Sequence, residues 1–255
     1  MTTGDGKSTQ PSLGPSLFEP TELVDRFKAS AAQHGFHVEC YGDLAGCDLI
    51  ALTKRTPGPR RRIYLSGGIH GDEPAPPLAL LEMLESGMFD HRADWLICPL
   101  LNPSGFLKRT RENADGFDLN RDYKDLRTAE IRAHIAWLQR QPNFDITISL
   151  HEDWETTGFY LYELNTGDQP SLAEHMVAAA SRVCPIETAA IIDGRESAAP
   201  GIIRPISDPL LRENWPEAIY LRAHHAGLAY TLESPSALPV SQRIASLRAA
   251  IESIL

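Results

Sequence analysis

The chain is poor in cysteine: Cys40, Cys47, Cys98 and Cys184 are the only four in 255 residues, and no two form a C-x-x-C pair. That spacing gives no zinc-ribbon or redox motif and no disulfide framework, and points instead to reduced, mostly buried thiols and a cytoplasmic setting. Long hydrophobic runs are also missing. No stretch approaches 18 apolar residues, so no membrane-spanning helix is expected. The first residues, "MTTGDGKSTQPSLGPSLFEP", lack the apolar centre of a secretory signal. Positive charge is short too: 24 Lys and Arg stand against 34 Asp and Glu, a net charge of −10. Phosphate-backbone binding needs clustered cations, so nucleic acid is not an expected partner, and neither is an anionic membrane. Internal repeats are absent, and so is the G-x-S-x-G elbow of a serine hydrolase.

What is present is ordinary globular composition, 42% hydrophobic and 23% charged. A chain of this length fits one large domain with a substantial core. The Ser-, Thr-, Gly- and Pro-rich residues 1–16 read as a flexible tail, and 17–255 as a single catalytic domain.

Along the chain, "PTELVDRFKASAAQHG" reads as a helix with Thr21 as its N-cap. "FHVECYG" and "CDLIALTKR" form a strand pair. "RIYLSGG", "DWLICPLL" and "FDITISLHE" are near-continuous apolar runs, the pattern of strands buried on both faces. The prolines after Glu73 predict an extended exit, followed by a helix over "LALLEMLESG". The polar stretch from Phe106 to Tyr123 is long enough to be functional. "DLRTAEIRAHIAWLQRQ" and "SLAEHMVAAASRV" are helices, and "GFYLYEL" and "GLAYTLESPS" strands. Val240, Ile244, Leu247 and Ile251 make one stripe of a final helix. Alternating strands and helices predict an α/β fold: three α/β/α layers around a mixed central sheet.

In such sheets ligands bind beyond the carboxyl ends of the strands. Three sequence-distant strands end in the same kind of residue: His70 with Glu73, then His151, then Glu233. Singly these are unremarkable. H-x-x-E is common by chance, a histidine at a strand end is often a core-edge residue, and a glutamate before Ser-Pro can open a turn. Together they match the donor set of a catalytic zinc, with three protein ligands and one open position. His70, Glu73 and His151 would be the ligands and Glu233 a general base.

The stretch "TRENADGFDLNRDY" extends the pattern. With "GGIHGDE", "NPSG", "SLHE" and "TLES" in the same order, the chain from 62 to 236 resembles the zinc carboxypeptidase superfamily, which includes peptide carboxypeptidases, murein tripeptide amidases and the succinylglutamate desuccinylase and aspartoacylase branch. The resemblance implies one Zn2+ on His70, Glu73 and His151, with Glu233 as base and proton shuttle. It also implies that Arg111, or Arg109 within "KRTR", polarises the scissile carbonyl. Asn120 and Arg121 would bind a substrate carboxylate, and Asp118 would orient His70. A guanidinium fork beside a neutral amide suits a carboxylate, and a carboxylate behind a ligating imidazole fixes its tautomer. Where many members read D-L-N-R-N, this chain has Asp122. The late loop from Asp193 to Arg212 holds Arg195, Arg204 and Arg212, for which solvated surface is the expected role, though one could grip an acidic group on the substrate. Tyr220 is not assigned to the family's late tyrosine. His134, His224 and His225 are expected to be structural.

The function so implied is a metallocarboxypeptidase-type amide hydrolase acting on a small carboxylate-bearing peptide. Alternatives are an N-acyl amino acid deacylase with the same zinc and anion clamp, and a non-catalytic zinc- or peptide-binding module. Members of the deacylase branch commonly add a small C-terminal β domain. This chain ends in a helix soon after "TLES", which favours the minimal carboxypeptidase domain.

Overall fold

The computed structural model describes residues 19–44, 46–165, 167, 169–205, 208–225 and 227–255. The expected tail, 1–16, lies outside them. Helix α1 (Pro20–Gln33) buries Leu23, Val24, Phe27 and Ala31 along one face. Its N-cap is Glu19 rather than Thr21, and Pro20 occupies the first turn. A proline is preorganised there because its missing N–H would have no helical partner. The hairpin β1 (His37–Leu44) and β2 (Cys47–Lys54) follows as expected, paired antiparallel.

Strands β3 (Arg61–Ser66), β4 (Ala93–Cys98), β5 (Ile146–Asp153), β6 (Tyr160–Asn165), β9 (Ile202–Ile203) and β10 (Leu228–Pro235) complete an eight-stranded sheet in the order β1-β2-β4-β3-β5-β10-β6-β9. The central strands β4, β3, β5 and β10 are mutually parallel, and β2 and β6 join them antiparallel. The sheet is therefore mixed, as expected. The short hairpin of β7 (Ile191–Ile192) and β8 (Arg195–Glu196) stands apart from it.

Helix α2 (Ala75–Glu85) begins earlier than the sequence predicts. Pro76 and Pro77 lie inside its first turn, where neither costs a helical hydrogen bond, so the exit from Glu73 is not extended. Helices α1, α2, α5 (Ala173–Ala180) and α7 (Val240–Glu252) cover one face of the sheet. There Phe27, Leu80, Ala173 and Leu247 pack with Ile63, Leu65, Ile148 and Leu232. Helices α4 (Ala129–Leu138) and α6 (Glu217–His224) cover the other, where Ile135, Trp137 and Leu221 pack with Tyr64, Leu96 and Phe144. This makes three layers. Among the described residues, no helix is long and apolar enough to cross a membrane.

Strand parity decides what lies near the sheet's carboxyl edge. Ile63 and Leu65 of β3, Ile148 and Leu150 of β5, and Leu232 of β10 enter the first core. Their neighbours Ser66, Ser149, His151, Thr231 and Glu233 therefore face the α6 side, because successive side chains alternate. The chain leaves β3 for β4 on one side and later returns to β5 on the other. That reversal opens a crevice beyond the ends of β3 and β5.

Candidate active site

The loop after β3 is shaped by close packing. Gly71, between His70 and Glu73, lies against helix α3 (Pro103–Lys108): a Cβ there would come within 1.9 Å of the Gly105 carbonyl carbon. Asn102 of "NPSG" caps α3 by accepting from Gly105 N at 2.8 Å, and its Nδ2 donates to the carbonyls of Ile69 and Arg111 at 3.2 and 3.3 Å. One buried amide thus joins the His70 loop to the Arg111 loop.

His70, Glu73 and His151 are all buried, and a ligand atom from each lies within 4.8 Å of the others. Glu73 sits between the two imidazoles, Oε1 2.5 Å from His70 Nδ1 and Oε2 3.0 Å from His151 Nδ1. Oε2 also accepts from the Glu152 backbone N–H at 3.1 Å. Burial works to neutralise Glu73, but the two histidines outweigh it and hold its pKa down at about 2. Burial likewise disfavours a charged His70. The Glu73 charge and the contact with Asp118 prevail and push its pKa up to about 9. His70 Nε2 is buried without a well-aligned hydrogen bond, and Asp118 Oδ1 lies 3.4 Å from it. The environment therefore favours a positive charge between these side chains. Two imidazoles and a carboxylate aimed at one point, with an acid behind His70, form a donor set that suits zinc. The residues fit a single divalent ion.

Asp118 also holds Arg111, accepting from its Nε at 3.0 Å, which leaves Arg111 Nη1 3.3 Å from His70 Nδ1. Arg109 is the exposed C-cap of α3, in left-handed conformation at φ 56. Asp118 N-caps the 3-10 turn Leu119–Arg121 that presents Asn120 and Arg121. Both line one cavity together with His151 and Glu233. Glu233 is paired in register with His151 on β5 and Tyr160 on β6. Burial pushes its carboxyl up to about 8, against the opposing pull of His151. Its side chain is partly open to the cavity. Asp122 does not disturb the cavity: it is 1% exposed, and its carboxylate accepts from Arg127 N, Thr128 N and Thr128 Oγ1 at the start of α4.

Of the late-loop arginines, for which solvated surface is the expected role, two reach the cavity, and Tyr162 and Asp193 are not singled out in the sequence. Asp193 and Gly194 turn the β7–β8 hairpin, both at positive φ, the geometry of a tight hairpin turn. That hairpin and the segment after it bring Arg195 and Arg212 to the cavity wall, with Tyr162 from β6 bonded to Asp193. Neither Arg195, Arg212 nor Arg121 pairs with a carboxylate among the described residues. Arg204, by contrast, bridges Glu163 at 2.6 Å and Glu174 at 2.7 Å. The D-G pair was a readable turn signal, but nothing local said which way it pointed. Tyr220 is buried against Tyr123 and His224 in the core under α6. His134 and His225 are buried, as expected of structural residues.

The comparisons with known proteins agree with this architecture. The chain superimposes on an inferred metallopeptidase from Shewanella amazonensis SB2B with a TM-score of 0.80, covering 92% of both chains at 24% identity. It also superimposes on a metallo-carboxypeptidase from Burkholderia cenocepacia (TM-score 0.66, 17% identity, 91% of this chain and 67% of the other). A metallo-carboxypeptidase from Pseudomonas aeruginosa in complex with (2-guanidinoethylmercapto)succinic acid gives 0.64 at 17% identity, covering 90% and 67%. At these identities the likeness establishes the fold. Carboxypeptidase SOL1 of Arabidopsis thaliana is 35% identical over a segment covering 33% of this chain and only 21% of that protein. A model of the succinylglutamate desuccinylase/aspartoacylase catalytic domain matches residues 59–254, most of the chain, which therefore belongs to that family within the zinc carboxypeptidase-like superfamily.

Proposed function

We propose that the chain is a zinc-dependent amide hydrolase of the carboxypeptidase type, acting on a small substrate that carries a carboxylate beside the scissile bond. One observation carries the reading: the ligand atoms of His70, Glu73 and His151 lie within 4.8 Å of one another, while His151 shares a cavity with Glu233, Asn120 and Arg121.

His70, Glu73 and His151 would hold the ion, with Asp118 fixing the His70 tautomer. When bound, zinc supplies Lewis acidity that polarises a carbonyl and acidifies water. With a cation held by the neighbouring ligands offsetting the burial that raises the Glu233 carboxyl, its carboxylate accepts the proton of the attacking water and delivers it to the leaving nitrogen. Asp118 holds Arg111 by Nε, which leaves the Nη groups to donate to the carbonyl oxygen as it gains charge. Asn120 and Arg121 grip the substrate carboxylate and so select the bond to be cleaved.

A second reading, N-acyl amino acid deacylation, is favoured by the three guanidiniums of Arg121, Arg195 and Arg212 on one cavity. They suit a substrate with more than one anionic group. Both readings use the same clamp and should also bind substituted succinates, with benzylsuccinate as a convenient probe. A non-catalytic binding module has no need of Glu233.

The test is elemental analysis of the purified protein and a panel of free-acid peptides, N-succinyl and N-acetyl amino acids, each beside its C-terminal amide. We expect about one zinc per chain, hydrolysis of free acids, and none of the amides. Glu233→Gln should keep its zinc and lose about 10²- to 10⁴-fold in turnover. A zinc-loaded wild type that hydrolyses nothing on the panel would overturn the catalytic reading in favour of the binding module.

A further inference from the structure

Glu217 is a carboxylate that the proposed chemistry does not use, yet it is 1% exposed at the first turn of α6. An ionised carboxylate is strongly disfavoured in a core unless donors meet it. Here three hydroxyls do: Tyr64 Oη donates to Oε1 at 2.7 Å, and Ser66 Oγ and Ser149 Oγ donate to Oε2 at 2.7 and 2.8 Å. Tyr64 and Ser66 come from β3 and Ser149 from β5, the two strands that lead to His70 and His151. The carboxylate therefore rivets the start of α6 to the strands beneath the site.

The same residue reaches the clamp by its backbone. Glu217 N–H donates to Asn120 Oδ1 at 2.9 Å. A backbone amide can only donate, so it fixes which end of the Asn120 side chain is oxygen. Nδ2 must then point the other way, and it makes no hydrogen bond among the described residues. Asn120 itself lines the cavity. The Asn120 loop is tied to the same place twice more. Tyr123 N donates to Trp215 O at 3.2 Å. Tyr123 Oη is 2.7 Å from His134 Nδ1, and His134 Nε2 is 2.9 Å from Tyr64 Oη.

We infer that Glu217 is the positioning residue of the carboxylate clamp: anchored by Tyr64, Ser66 and Ser149, it holds α6 where its amide turns Asn120 Nδ2 toward the substrate carboxylate. The inference rests on the proposed role of Asn120 in binding that carboxylate. Glu217 touches no substrate and acts only through Asn120.

The test is calorimetric binding of benzylsuccinate to zinc-loaded protein in a double-mutant cycle. Asn120→Ala should weaken binding about tenfold, the effect of losing one hydrogen bond to a charged group. Glu217→Ala should weaken it by a similar factor with zinc content unchanged, and should add almost nothing in the Asn120→Ala background. Glu217→Gln, which keeps an acceptor for the hydroxyls, should bind close to wild type. If Glu217→Ala binds as wild type, or its loss persists in full without Asn120, the inference fails while the clamp stands. If Asn120→Ala has no effect, the clamp fails and takes the inference with it. Should Glu217→Ala not fold, Ser66→Ala and Tyr64→Phe each remove one donor. Smaller losses that vanish without Asn120 support the inference, and unchanged affinity in both overturns it.

Discussion

Lowering the pH should destabilise this protein through His134, and the size of the effect follows from where that residue lies. His134 is 1% exposed, between Tyr64 and Tyr123. Tyr64 gives its hydrogen to Glu217, so His134 Nε2 must donate to Tyr64 Oη and Nδ1 must accept from Tyr123 Oη. That is a neutral imidazole. Burial, with a smaller contribution from His225, pushes its pKa down from 6.5 to about 3. The folded value is depressed, so unfolding takes up a proton at any pH between the two. The stability is fully present above 6.5 and is lost as pH falls from there toward 3. At roughly 1.4 kcal/mol per pH unit, the loss is about 1 kcal/mol at about pH 6 and about 2 kcal/mol at about pH 5. For a chain of this size that is a fall in Tm of roughly 4–8 °C.

The assay compares urea unfolding of wild type and His134→Gln between about pH 7.5 and about pH 5. Carboxylates and the other histidines titrate in both proteins and cancel in the difference. The variant should be the less stable protein at the upper pH, because two buried tyrosines lose their partner. The gap should close by about 2 kcal/mol at the lower pH. Parallel stability curves would refute the argument, because they would mean that His134 binds its proton equally well folded and unfolded.

Three further outcomes are expected. Gly71→Ala would force a Cβ into the Gly105 backbone, displacing the His70–Glu73 loop. Stability should fall by more than about 2 kcal/mol and zinc affinity with it, as read by unfolding and by competition with a chromogenic chelator. Removing the metal should lower Tm by about 8 °C if zinc is present at about 1,000 times its Kd, and adding zinc back should restore it; no change on chelation would count against a folded-state site. Asp118→Asn should weaken zinc binding about 10- to 100-fold, because the amide no longer fixes the His70 tautomer, whereas Asp122→Asn should leave zinc affinity unaltered and cost only stability at the start of α4.

Much of the architecture was legible because it is written in periodicity. Apolar runs at β3, β4 and β5 marked strands buried on both faces, and the stripe of Ile244, Leu247 and Ile251 marked a covering helix. The errors came where proline chemistry is positional. Pro20, Pro76 and Pro77 start helices rather than delaying them, because the first-turn N–H groups have no partner to lose. The expected metal ligands could be named because H-x-x-E and a distant histidine share a chemistry. The distinction between Arg111 and Arg109 could not be made, since two residues apart in "KRTR" they differ only in what the fold places beside them.

The sequence by itself determined the α/β layering, the parity that sends Ser149, His151, Thr231 and Glu233 to one face, and the residue types able to hold a divalent ion. Those properties depend on local spacing and on side-chain chemistry. Only the tertiary structure decided that the β7–β8 hairpin carries Arg195 to the cavity, that Asp122 turns away into α4, and that Glu217 lies buried beneath the clamp. Each of these rests on a contact between segments dozens or more residues apart or on the direction in which a turn aims a side chain, and neither is encoded in any short window of the chain.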